Sequence, residues 1–146
     1  MILLDANLLI YAIDADSSQH KRARRWLEET LSGDTSVGLA WIVVLAFIRI
    51  TTRAGIMATP LRLEQAVGFI DDWLAQPCVA LVGPGDAHWP VLKNLLIAGG
   101  AAGNLTSDAH LAALAIEYGC EIASTDNDFR RFTGITLVNP LVDPAG

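Results

Sequence analysis

The chain has 146 residues and 15.6 kDa, which suits a single domain over residues 1–146, since cores split only beyond ~250 residues. Apolar residues make up 52% and charged residues 18%, enough to fill a core (about residues 1–141) and too little charge for a disordered chain. Ten Lys+Arg against sixteen Asp+Glu leave a formal charge of −6, which excludes a general basic coat, so any polyanion must be met by local patches or bound metal ions.

Ile2-Leu3-Leu4 reads as a short buried strand that leaves on Asp5-Ala6-Asn7. Leu8 to Ala12 begins a helix. Ser17 or Ser18 is expected to cap a second one running to Leu31, with Ala23, Trp26, Leu27 and Leu31 on one face and Gly33 beyond its end. From Leu39 to about Arg53 the chain is apolar nearly all round, the mark of a buried helix, with Gly55 as its stop. Thr59 and Pro60 are expected as N-cap and first residue of the next helix, with Leu63, Val67, Ile70 and Leu74 as its apolar face. Val79 to Val82 reads as a second buried strand, followed by a helix capped by Asp86 that tolerates Pro90 in its first turn. Thr106 or Ser107 is expected to cap a helix through Tyr118, closed by Gly119. Glu121 to Ser124 and Ile135 to Val138 are the third and fourth strands. Short apolar strands alternating with helices predict an α/β sandwich of three layers, its central sheet mainly parallel and its site at the strands' C-terminal edge.

The stretch from Val37 to Ile48 is too short to cross a bilayer, which takes ~20 residues, and no membrane partner is expected. The N-terminus lacks the basic region of an export signal, so a cytoplasmic chain is expected. Cys78 and Cys120 have no CxxC spacing and are expected as reduced thiols packed near the core.

Three acids stand where chemistry is done. Asp5 closes the first strand, Asp108 opens the helix ending at Tyr118, and Asp126 follows the third strand with Thr125 between. If the first and third strands are neighbours, their C-terminal ends face one crevice into which Asp108 can point. Clustered carboxylates repel one another and invite a hard dication such as Mg²⁺ or Mn²⁺. Zinc is disfavoured, because His20, His88 and His110 show no ligand spacing and read as surface or helix-flank residues. Taken singly, Asp108 suits a helix N-terminus and Asp126 a turn; Asp5, directly after a buried strand, is harder to dismiss, because desolvating its carboxylate demands compensation.

Further matching segments are Leu4 to Tyr11, Phe47-Ile48-Arg49-Ile50-Thr51-Thr52, His88-Trp89, Gly103 to Ala113, and Ser124-Thr125-Asp126-Asn127-Asp128-Phe129. In their order and spacing the chain resembles, over nearly its full length, the PIN-domain ribonucleases of the VapC toxin type. The resemblance implies that Asp5, Asp108 and Asp126 are metal-binding catalytic acids; Asn7 and Thr125 are expected in support, and Asp128 either as a helper to the metal or as a plain turn acid. It implies Mg²⁺-dependent hydrolysis of transfer, ribosomal or messenger RNA, leaving a 5′-phosphate and a 3′-hydroxyl. It further implies a VapB-type antitoxin that blocks the site, and a homodimer.

One slot departs from the family's pattern: a glutamate is usual three residues before Arg49, and here that residue is Ala46. A chain that binds RNA and antitoxin through a PIN fold without cutting is therefore the second reading. An acidic-pocket phosphotransfer domain is the third, weakened by Asn7 where a phosphatase needs a second Asp. Phosphates are expected to meet two basic patches, Lys21-Arg22-Arg24-Arg25 and the Arg49/Arg53 pair, among which Arg22, Arg25, Arg49 and Arg53 are the RNA-binding candidates. The pairs Arg24–Glu28 and Arg25–Glu29 offer the first patch a plainer role on a solvated helix.

Overall fold

The computed structural model describes residues 1–142. A five-stranded sheet runs in the order β3-β2-β1-β4-β5, with β1 at Ile2–Leu4, β2 at Val37–Ala40, β3 at Val79–Val82, β4 at Glu121–Ala123 and β5 at Leu137–Val138. Every pairing is parallel. The helices are α1 (Ala6–Ile13), α2 (His20–Leu31), α3 (Trp41–Thr51), α4 (Leu63–Leu74), α5 (His88–Gly99) and α6 (Thr106–Tyr118). From β1 the chain steps outward to β2 and β3, then returns past β1 to β4. Right-handed crossovers therefore place α1 to α4 on one face and α5 and α6 on the other. The reversal leaves a crevice between the C-terminal ends of β1 and β4, the usual site of ligands in such sheets.

β1 is central, and its Leu3 and Leu4 have no exposed surface. Leu3 lies opposite Gly38 of β2, where a Cβ would come within 2.5 Å of the Leu3 side chain, so the close approach of the two strands requires glycine. β2 corrects the single long helix expected in this region. Val37–Ala40 are all buried, and a strand covered on both faces shows no alternation that would separate it from the apolar helix it enters at Trp41. The strand β3 is not buried as expected: it is an edge, with Ala80 and Leu81 exposed.

Helix α4 starts at Leu63, not at Thr59-Pro60, because the Leu61 N–H donates to the Thr51 carbonyl at 2.8 Å and holds the preceding segment extended. The Gln65 side chain then accepts from the Arg62 N–H at 2.9 Å, closing the first turn. Its buried face is Ala66, Ile70 and Trp73, while Leu63 and Val67 are exposed. The face is rotated because Trp73 joins Phe47 and Phe69 in an aromatic cluster, with its ring centroid 5.0 Å from that of Phe47.

Helix starts elsewhere also differ. Ser17 accepts from the Gln19 N–H at 3.1 Å, but α2 begins only at His20. Asp86 caps nothing, and Thr106 and Ser107 lie inside α6, which is entered through a 3-10 turn at Gly103–Leu105. Pro90 sits in the first turn of α5 and Gly119 ends α6 in the left-handed conformation, as the sequence predicts. Both cysteines are free and half-buried. Among the described residues no helix is long and apolar enough to cross a membrane.

Candidate metal centre

Asp5 leaves β1 as the N-cap of α1, where one carboxylate oxygen accepts the Ala6 N–H at 2.8 Å. Its other oxygen accepts the Ser124 hydroxyl at 2.6 Å, directly beyond β4. The same Ser124 oxygen accepts from the Asn7 side-chain amide at 3.2 Å and from the Asp126 N–H at 3.0 Å. One buried serine thus ties together the exits of β1 and β4. Asp126 in turn caps the 3-10 turn Asn127–Arg131, accepting the Asp128 N–H at 2.8 Å. Asp108 enters from the first turn of α6.

The expected convergence is met. Asp5, Asn7, Asp108 and Asp126 line one cavity of about 280 Å³, together with Ile42, Ala46, Arg49 and Leu111. One carboxylate oxygen each from Asp108, Asp126 and Asp128 lies within 4.8 Å of the others. A larger hollow of about 420 Å³ between α1, α2 and α4 gathers no such acids.

The electrostatics record the crowding. Burial, and then the negative charges of Asp126, Asp5 and Asp128, push the Asp108 carboxyl up to about 6 against the opposing charge of Arg131. Burial, and more weakly Asp126, also raises Asp5, although its hydrogen bonds from Ser124 and Ala6 pull the other way. Asn7 Oδ1 is buried with no hydrogen-bond partner. Repelling carboxylates beside an orphaned carbonyl oxygen form an all-oxygen donor set, which fits a hard divalent cation.

Sequence reasoning singled out Thr125 for support and passed over Ser124. The structure gives the bridging hydroxyl to Ser124, while Thr125 makes no side-chain hydrogen bond among the described residues. A serine at a strand exit carries no local signal of that role, which arises from pairing across 119 residues. Asp128, expected either as a helper or as a turn acid, stands in the tightest group of acids.

The basic candidates separate. Arg49 lines the acidic cavity, whereas Arg53 lies beyond the end of α3 and is not its helical partner. Arg22 and Arg25 line a different hollow, beside Pro140 and Leu141, and Arg22 donates to the Leu141 carbonyl at 2.7 Å. Arg24 and Glu28 form their predicted pair at 3.0 Å. His88 departs from the surface role expected of it: it is buried, pairs with Glu117 and meets His110 at 2.9 Å.

The PIN-domain family model matches residues 2–135. Ribonuclease VapC37 of Mycobacterium tuberculosis is 44% identical over 140 residues, covering 96% of this chain and 97% of the relative. Ribonuclease VapC33 of the same organism is 41% identical over 141 residues, covering 97% and 99%. The solved structure of VapBC2 from Rickettsia felis, bound to a promoter DNA fragment, superposes with a TM-score of 0.69 at 20% identity, covering 95% of this chain and 98% of its counterpart. Mycobacterium tuberculosis VapC20, a toxin that cleaves the sarcin–ricin loop, gives a TM-score of 0.68 at 16% identity over 93% and 99%. The two structures share the fold, and the sequence relatives place the chain more narrowly: it belongs to the PIN-domain family, among the VapC ribonucleases.

Proposed function

We propose that this chain is the toxin of a type II toxin–antitoxin pair, a single PIN domain that hydrolyses RNA phosphodiesters in the cytoplasm with Mg²⁺ or Mn²⁺. The observation that carries the reading is the meeting of Asp5, Asp108 and Asp126 in one cavity at the β1/β4 crevice, with Asp128 grouped beside Asp108 and Asp126. Asp108, Asp126 and Asp128 would hold the metal, and Asp5, locked by Ser124, would complete the donor set. A bound dication of this kind polarises a phosphoryl oxygen and lowers the pKa of a water. Around it, Ser124 and Asn7 orient the carboxylates, the apolar wall of Ile42 and Leu111 limits water, and Arg49 offers a positive charge to the RNA backbone.

The solved VapBC complexes that share this fold support a VapB-type antitoxin as partner; its seat over this cavity and a toxin homodimer belong to the proposal. Arg22, Arg25 and Arg53 lie outside the cavity and would serve only more distant phosphates. Ala46 lines the cavity without a carboxylate and favours a second reading, a PIN fold that binds RNA and antitoxin but cuts weakly. The phosphotransfer alternative gains nothing from the family match.

The test is a calorimetric Mn²⁺ titration paired with cleavage of cellular RNA by the purified chain, with and without EDTA. Metal binding together with metal-dependent cleavage that Asp5→Asn abolishes supports the enzyme. Metal binding without product supports the second reading, and cleavage unaffected by both EDTA and Asp5→Asn overturns the site.

A further inference from the structure

Arg130 and Arg131 carry a weaker sequence signal for phosphate contact than the two basic patches, yet Arg131 belongs to the turn that bears Asp128. It ends the 3-10 turn that Asp126 caps, and its Nη1 donates to the Gly99 carbonyl at the C-terminal turn of α5, at 3.2 Å. Its stem passes close to Gly99: a Cβ added there would meet Arg131 Cδ at 3.9 Å and the Phe132 ring at 3.3 Å. The absence of a side chain at Gly99 therefore helps to make a seat for this turn. Arg130 takes a different course, donating to Asn127 within its own turn at 3.2 Å.

Only one of the five guanidinium donors of Arg131 is used by the protein among the described residues. No carboxylate among them forms an ion pair with it, although its charge acts on Asp108. An exposed arginine anchored at one nitrogen, in the turn that Asp126 caps and that carries Asp128, has donors left for an anion that approaches these acids. A phosphate oxygen fits a guanidinium fork, and an acidic protein has to find such contacts locally.

We propose that Arg131 is a substrate-contacting residue of this site and binds a phosphate oxygen adjacent to the bond that is cut. The inference rests on the ribonuclease reading above and adds to it a named phosphate contact on the α5 side of the acids. The hydrogen bond to the Gly99 carbonyl orients the guanidinium before RNA arrives, so it loses less freedom on binding.

The experiment measures binding of a fluorescent, short, random-sequence single-stranded RNA by anisotropy over a range of salt concentrations. It uses the Asp5→Asn background, which keeps the three clustered acids while preventing cleavage. Arg131→Gln should weaken binding about tenfold and flatten the plot of log K against log salt by about 0.7, the contribution of one phosphate contact on a single strand. Arg131→Lys should restore most of that slope, and neither change should weaken Mn²⁺ binding. An unchanged slope in Arg131→Gln, or a lowered melting temperature that lysine does not rescue, overturns the inference and assigns Arg131 to holding α5. A chain with Arg131 intact that binds no RNA overturns the ribonuclease reading and the inference together.

Discussion

Helix α6 contributes to two polar groups, one partly open to solvent and one largely buried, that differ in how far they satisfy themselves. In its first turn, Asp108 faces Asp126 and Asp128 across distances that leave the charges unbalanced. Further along, His110 and Glu117 close a chain with His88 of α5: Glu117 pairs with one ring nitrogen of His88, the other lies 2.9 Å from His110 Nδ1, and the second Glu117 oxygen accepts the Gly85 N–H at 3.1 Å. Tyr118 adds a hydrogen bond to the Gly83 carbonyl at 2.8 Å. The second group contains its own donors and acceptors and so fastens the β3–α5 loop to α6. The first contains acceptors almost alone. Carboxylates that crowd one another in a cleft, with the raised Asp108 among them, form a site that a cation from outside can complete.

The comparison breaks most visibly if the acids are made neutral. Asp126→Asn or Asp108→Asn should cut metal-dependent RNA cleavage at least ~100-fold, about 2.7 kcal/mol of transition-state stabilisation, and weaken Mn²⁺ binding in calorimetry. The metal-free melting temperature should hold or rise, since a repulsion has been removed; a large fall would make these acids structural. Ser124→Ala, which removes the tie between Asp5, Asn7 and Asp126, should cost roughly 10- to 100-fold in metal affinity or cleavage. Cleavage equal to that of the unaltered chain would show that Asp5 needs no such tie.

The self-satisfied group should respond in the opposite way. Glu117→Ala strands the buried His88 and the Gly85 N–H, and urea unfolding should report a loss of about 1–3 kcal/mol, with Mn²⁺ affinity little changed. A large loss of metal affinity would mean that the two regions are coupled through α6.

The smallest effect is the dependence on pH. Asp108 titrates near 6 in the folded chain against 3.8 unfolded, so between those values the folded state holds more protons and its metal-free stability falls as pH rises. Asp5, also raised, acts in the same direction. Thermal melts at several pH values should show that decline. They should also show that added Mn²⁺ stabilises more at pH 7 than at pH 5, because the metal competes with the proton on Asp108.

Much of the site could be read before the fold, and the reasons are local. Asp5 directly after Ile2-Leu3-Leu4, and Asp126 after Glu121 to Ser124 with Thr125 between, are placed by the short apolar strands they follow, and pairing of β1 with β4 then brings them to one crevice. The resemblance in residue order supplied the family and the role of Asp108. The failures share a cause as well. β2 vanished into α3 because a fully buried strand and a buried helix have the same composition, and α4 was turned on its axis because Trp73 packs on Phe47 of α3, a partner that its own segment does not contain.

Composition, strand periodicity and the acids at strand exits thus determined the α/β class and which carboxylates would meet, because these depend on neighbours in the chain. The Ser124 bridge, the buried Glu117–His88–His110 group, the separation of Arg22 and Arg25 from the acidic cavity and the hydrogen bond of Arg131 to the Gly99 carbonyl were decided by tertiary structure. Each joins groups from elements that meet only after the sheet has formed, and the strength of a charge or hydrogen bond there depends on the surrounding burial, which no short segment specifies.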